Sequence, residues 1–211
     1  MIAWLFRSAR RLTRDMAGMA AVEFALGMPI MVGVVMAGTE AANMAFASQK
    51  LGDLATQTAD NISRYKNGIS EEQITDTLAG MKTMTDTIGF RNNGRIIVSS
   101  IRPVVDGSGN VTNQNIRWQR CTGAKVVNSS YGAAGDNLGV TGMGPTGRKI
   151  AASADTEVIF VEVQYTYRPL ISSSFLGTPT LSAIASMVVR DRNNNAPTAG
   201  GTASVCTAYT A

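Results

Sequence analysis

Chemistry in a protein needs groups that can move a proton, hold a metal or attack a carbonyl, and this sequence has few of them. Its 211 residues contain no histidine, which removes the commonest general base and the commonest metal ligand together. The two cysteines, Cys121 and Cys206, cannot build a four-thiolate metal site. Gly142-Met143-Gly144-Pro145-Thr146-Gly147 has the glycine spacing of a dinucleotide-binding loop. No apolar strand precedes it, however, and Pro145 interrupts the place where its helix would start. Asp106-Gly107-Ser108-Gly109-Asn110 opens like a calcium loop, but Val111 and Arg117 occupy its sixth and twelfth positions, so a turn is expected. The expectation is a protein that is no enzyme and carries no cofactor or metal. One side chain stands out: Glu23 is alone in the most apolar region of the chain, where a charge at mid-bilayer costs about 2.5–3.5 kcal/mol.

The elements around Glu23 begin with an apolar run, Met16–Thr39, in which it is the single charge. As a helix, Met19–Thr39 would be about 31 Å long, matching a hydrocarbon core of about 30 Å. Arg7, Arg10, Arg11 and Arg14 precede the run, and against Asp15 they supply +3 of the formal charge of +4. The basic balance therefore belongs to residues 1–18 and is no sign of nucleic-acid binding. Lys50, Arg64 and Lys66 are sparser and farther from the span, so the cation bias places the N-terminus in the cytoplasm and the rest outside. Beyond the span Leu51, Leu54, Ala55, Thr58, Ile62 and Tyr65 recur at spacings of three and four, an amphipathic face. One helix over 19–66, about 72 Å long, is predicted, with a stop at Asn67-Gly68. Ser70-Glu71-Glu72-Gln73 reads as a capping box ahead of a second helix that buries Ile74, Leu78 and Met81.

After Gly89 the period falls to two. Residues 95–105 and 111–121 flank the turn 106–110 as a hairpin. Residues 122–156, rich in Gly, Ser, Asn and Ala, are expected to form a long surface excursion. In the strand 157–170, Val161, Val163, Tyr165 and Tyr167 share one face, with Glu162, Gln164 and Thr166 on the other. Residues 180–190 align Leu181, Ala183, Ala185, Met187 and Val189 as its partner. Trp118, Tyr165 and Tyr167 are expected in the packing rather than on a ligand platform. The fold class is α+β: a long N-terminal helix, membrane-embedded at its start, packed on a small and mainly antiparallel sheet. The predicted organisation is a basic leader (1–18), a membrane helix (19–40), the outer half of that helix (41–66) and a head (67–211). With the head outside the cytoplasm, Cys121 and Cys206 lie in an oxidising space and are expected to pair, two buried free thiols being the alternative.

Four arginines, then Gly18, then Glu23 as the fifth residue after it, then a long apolar helix: this order resembles a type IV prepilin signal. The stretch from "AAVEFALGMPI" to "DNISRY" is similar to the TadE-like family of tight-adherence (Tad/Flp) pilus proteins, in its Glu23-Phe24 pair, its Pro29 and its second glutamate, Glu40, near the membrane exit. The resemblance implies a minor pilin or pseudopilin, cut between Gly18 and Met19 by prepilin peptidase, whose new amino group pairs with the glutamate of a neighbouring subunit. It implies the inner membrane, the peptidase and other major and minor pilins as partners. The head would be periplasmic, or carried outward in an extracellular pilus. Two alternatives stay open at this point. One is an uncleaved single-pass scaffold of the pilus machinery. The other is a secreted enzyme or binding domain released at Ser48 by a cut after "AFA".

Overall fold

Small and straight-chain apolar residues carry the first helix, α1 (Ala17–Ser63), through Pro29 without a break. A proline inside a helix removes one backbone bond, a loss that membrane helices tolerate. The computed structural model describes residues 17–65, 68–171, 177–189 and 196–210. Arg7, Arg10, Arg11 and Arg14 of the expected leader lie outside the described residues, as do Lys66 and Asn67 of the expected helix stop. Chain contacts divide the molecule into two units, residues 1–43 and 44–211.

In the second unit, the outer turns of α1 bury Ala47, Leu51, Leu54, Ala55, Thr58, Ala59 and Ile62, the stripe that the three-and-four spacing marks out. The helix α2 (Glu71–Met84) opens on the capping box: Gln73 N–H donates to Ser70 Oγ, and Ser70 N–H to Gln73 Oε1. Its buried residues are Ile74, Leu78 and Met81. A short 3-10 turn (Asp86–Ile88) and the one-turn helix α3 (Phe90–Asn93) lead into the sheet.

The sheet has four strands, β1 (Gly94–Val105), β2 (Val111–Thr122), β3 (Val158–Thr166) and β4 (Thr180–Val188), in the order β2-β1-β3-β4. Every neighbouring pair is antiparallel. The hairpin β1–β2 closes through Asp106, whose carboxylate accepts from the Ser108 and Asn110 N–H groups at 2.8 and 2.9 Å. That side chain is engaged in building its own turn. β3 is shorter than the expected 157–170: Tyr167 N–H still donates to Pro179 O, but Pro179, opposite it, has no N–H to return the bond.

One face of the sheet packs Ile96, Val98, Trp118, Ile159, Val161, Val163 and Tyr165 against α1 and α2. The other face differs from expectation. Residues 123–157 fold back over it and supply Tyr131, Leu138, Met143, Ile150 and Ala152 to a second cluster around Ile101, Ile116, Val158 and Phe160. The excursion is thus a cover rather than a free loop, and Glu162 and Gln164 are buried beneath it. The Gly142–Gly147 glycines serve this cover. Met143 and Ile150 pair as a bridge, and a Cβ on Gly142, at φ +78°, would sit 2.0 Å from the Ile150 carbonyl oxygen.

Candidate functional site

Two groups of residues could do something beyond holding the fold, one in each unit. The first is the stretch 18–40. From Gly18 to Thr39 every residue is exposed except half-buried Gly27. Phe24, Leu26 and Ile30 are 67, 71 and 71 % exposed. A helix that is apolar all round and covered on no side is built for a membrane or for other helices. Its most apolar window has a mean hydropathy of 1.9, and by length and composition the helix can cross a membrane. Phe24, Met28, Met31 and Val35 follow one another at helical spacing and, with Val32 and Met36, line a shallow apolar groove. Methionine there supplies a deformable surface that adapts to the shape of a neighbour.

Gly18 lies near the start of α1 with open space around the position of a Cβ, and Met19 is half-exposed. Glu23 is exposed and joins no ion pair among the described residues. Met19 and Glu23 are four residues apart, so their positions face the same side of the helix one turn from each other. Glu40 differs sharply: it is 3 % exposed although Thr39 and Ala41 beside it are exposed.

The second group is the polar interior of the head, which sequence reasoning missed apart from the cysteines. Cys121 and Cys206 form a disulfide that joins β2 to the C-terminal tail. Beside it Arg95, fully buried, donates to the carbonyl oxygens of Gly123 (2.8 Å), Ala208 (2.8 Å) and Cys206 (2.6 Å). Its guanidinium carbon lies 4.2 Å from the Tyr209 ring centroid. Burial pushes the Arg95 pKa down, against a smaller upward pull from Tyr209. The tail also completes the start of α2: Glu71 N–H donates to Thr198 O and Glu72 N–H to Gly200 O. With Gln73 bonded to Ser70 Oγ and Ile74 to Ser70 O, each of the first four N–H groups of α2 has an acceptor.

Two further buried groups pin the excursion to the sheet. The Glu162 carboxylate accepts from Ser129 Oγ, Ser130 N–H and Gln164 Nε2. Gln114 donates through Nε2 to Ala152 O and accepts Ala152 N–H at Oε1, so one side chain imitates a strand partner. Next to the β2 bulge, Arg117 pairs with Glu157 at 2.6 Å, and Glu157 also accepts from Ser100 Oγ. Arg120 clasps both carboxylate oxygens of Glu71, tying β2 to α2. Alternation alone assigns Glu162 and Gln164 to an outward face. The one sequence signal against that is the length of the excursion, long enough to cover the sheet. Among the described residues no group of histidine, cysteine, aspartate and glutamate side chains could hold a metal ion.

These features divide the work: a polar interior that fastens a head, and an exposed apolar stretch of helix over residues 18–39. No curated protein and no solved structure matches the chain. Its similarity to known proteins lies in the apolar helix and the turns that follow. Residues 18–60, from Gly18 through Glu23, Phe24 and Glu40 to the turns buried in the head, match the family of TadE-like proteins.

Proposed function

We propose that the chain is a minor pilin or pseudopilin of a Tad/Flp-type pilus, cut after Gly18 by prepilin peptidase and acting in assembly or at the filament tip. The observation that carries this reading is the exposed apolar stretch 18–39 of α1, whose single carboxylate is Glu23, lying inside the family match. A cut before Met19 creates an α-ammonium one helical turn from Glu23. In a bundle of such helices, that ammonium and the glutamate of a neighbour offset each other's desolvation, and a misplaced subunit leaves a buried charge unpaired. Glu23 then sets axial register. The head argues for a minor subunit, because a domain of this size is difficult to repeat along a thin filament and easy to place at its end. The role is structural rather than catalytic. The N-terminus lies in the cytoplasm before processing, and the head lies in the periplasm.

Release at Ser48 is the less favoured reading. Ala47, the residue before that cut, is buried in the core of the head, in the middle of an unbroken helix. Purification from native membranes followed by intact mass and N-terminal sequencing separates the readings. A start at Met19 supports prepilin processing. A start at Ser48 overturns it in favour of a secreted domain, and an intact Met1 leaves an uncleaved scaffold. Glu23→Ala is expected to be processed normally yet to be lost from sheared pili. Undiminished incorporation would remove the register role.

A further inference from the structure

The two outer edges of the sheet are treated differently. Along β2, Gln114 N–H donates to Gly139 O, Ile116 N–H to Asp136 O and Cys121 N–H to Ser204 O, so the excursion and the tail close that edge. At β4, Val189 N–H donates to Glu157 O, and Tyr167 N–H donates to Pro179 O. Bonded pairs alternate along an antiparallel ladder. With the observed register, Leu181, Ala183, Ala185 and Met187 therefore turn their backbone groups toward β3. Ser182, Ile184 and Ser186 turn theirs away, and no described residue bonds to them. Three common edge protections are missing from the strand itself: Thr180–Val188 contains no charge and no proline, and its pairing with β3 runs without a bulge.

The sequence of this strand, TLSAIASMV, is nearly the same in both directions about Ile184. Laid antiparallel against a copy of itself, Ile184 faces Ile184, Ala183 faces Ala185, Ser182 faces Ser186 and Leu181 faces Met187. An antiparallel two-fold sets residues equally far from 184 opposite one another whatever their types; here each such pair matches closely in size and polarity, and the outward backbone groups of Ile184 meet those of its own copy as a bonded pair. Leu181, Ala183, Ala185 and Met187 are only half-buried at the margin of the main core, and an added strand would cover them. We propose that β4 is a pairing edge that joins two copies of this chain into one continuous sheet about a two-fold axis at Ile184. The pairing goes beyond the pilin reading and does not depend on peptidase processing.

The test uses the full chain in detergent. Across such an axis the Cα atoms of residue 184 lie about 5.5 Å apart, within disulfide reach. Ile184→Cys is expected to form a disulfide dimer on mild oxidation, with the bond located by peptide mass and the Cys121–Cys206 bond intact. Ser182→Cys and Ser186→Cys are expected to cross-link when mixed and not when alone. Ser182→Pro removes an N–H that faces away from β3, a position where an edge strand accepts proline. It is expected to weaken dimerisation about 30-fold by sedimentation, two lost donors per dimer at about 1 kcal/mol each, while protease resistance is kept. Failure of Ile184→Cys to cross-link overturns the pairing. So does cross-linking of Ser182→Cys alone as readily as the mixture, or dimerisation of Ser182→Pro at wild-type strength.

Discussion

At Arg95, three carbonyl oxygens stand where a carboxylate usually would. The charge is held there by a fork that spans acceptors from Gly123, Cys206 and Ala208 at once, with the Tyr209 ring over the guanidinium. Arg95→Ala would leave three acceptors without a donor, each worth about 1 kcal/mol or more. The expected loss is about 3 kcal/mol, a fall in Tm of roughly 6–12 °C for a chain of this size, with earlier proteolysis of the tail. Arg95→Lys should recover only part of this, since an ammonium lacks the planar fork. Asp106 gives the residue-scale pH response. Hydrogen bonds from the Asn110 backbone and side chain, then from Ser108, hold its pKa below the ordinary carboxylate value. A depressed folded pKa means that its stabilisation of the turn is complete above the unfolded pKa and is lost as pH falls through the folded one. NMR titration of the Asp106 carboxyl should therefore give a midpoint below that of an unstructured aspartate. A midpoint at or above it would mean that the turn bonds are not kept in solution.

The tail is the element on which the head closes, because it reaches both β2 and the start of α2. Cys121 and Cys206 are separated by 85 positions, so the chain-entropy model gives the disulfide up to about 4.6 kcal/mol. Arg95 and the α2 N–H groups hold the same tail, however, and bonds that share one segment do not add. Cys121→Ser/Cys206→Ser is expected to fold and to lose about 2–4 kcal/mol in denaturant unfolding. The capping box and tail contacts at α2 should then become more valuable. Ser70→Ala, expected to cost about 1 kcal/mol in the intact protein, should cost more without the disulfide. Equal costs in both backgrounds would mean that the tail and the cap are independent. What is legible in the sequence follows the same division. Local signals are sufficient for α1, the capping box, the hairpin and the Leu181–Met187 face, because period and turn chemistry act over a few residues. The cover over the second face depends on contacts such as Gln114 with Ala152 and Glu162 with Ser130, which join distant parts of the chain. Alternation alone gives Glu162 no reason to be buried. At the candidate assembly segment the residues are visible in the sequence, but the burial of Glu40 between exposed neighbours is not.

At the scale of the whole molecule, the buried apolar residues run from Ala47 to Val189, while the exposed large apolar residues from Met19 to Met36 form a continuous series on α1. Every residue of the main core cluster comes from the second unit. A chain of residues 44–211 should therefore keep its core and lose the surface that needs a membrane or other helices. It is expected to be soluble without detergent, to form the Cys121–Cys206 bond and to unfold in a single transition within a few degrees of the full chain. The chain has two tryptophans, and of these only Trp118, which is 5 % exposed, remains in this fragment. Its emission reports the packing between the sheet and the helices directly. A blue-shifted Trp118 emission that changes together with the far-UV signal would establish a head that folds on its own, leaving the apolar segment free for membrane and neighbour contacts. Red-shifted emission with helix content retained would mean that the head needs residues before Met44 to close its core, and that the apolar segment serves folding as well as assembly.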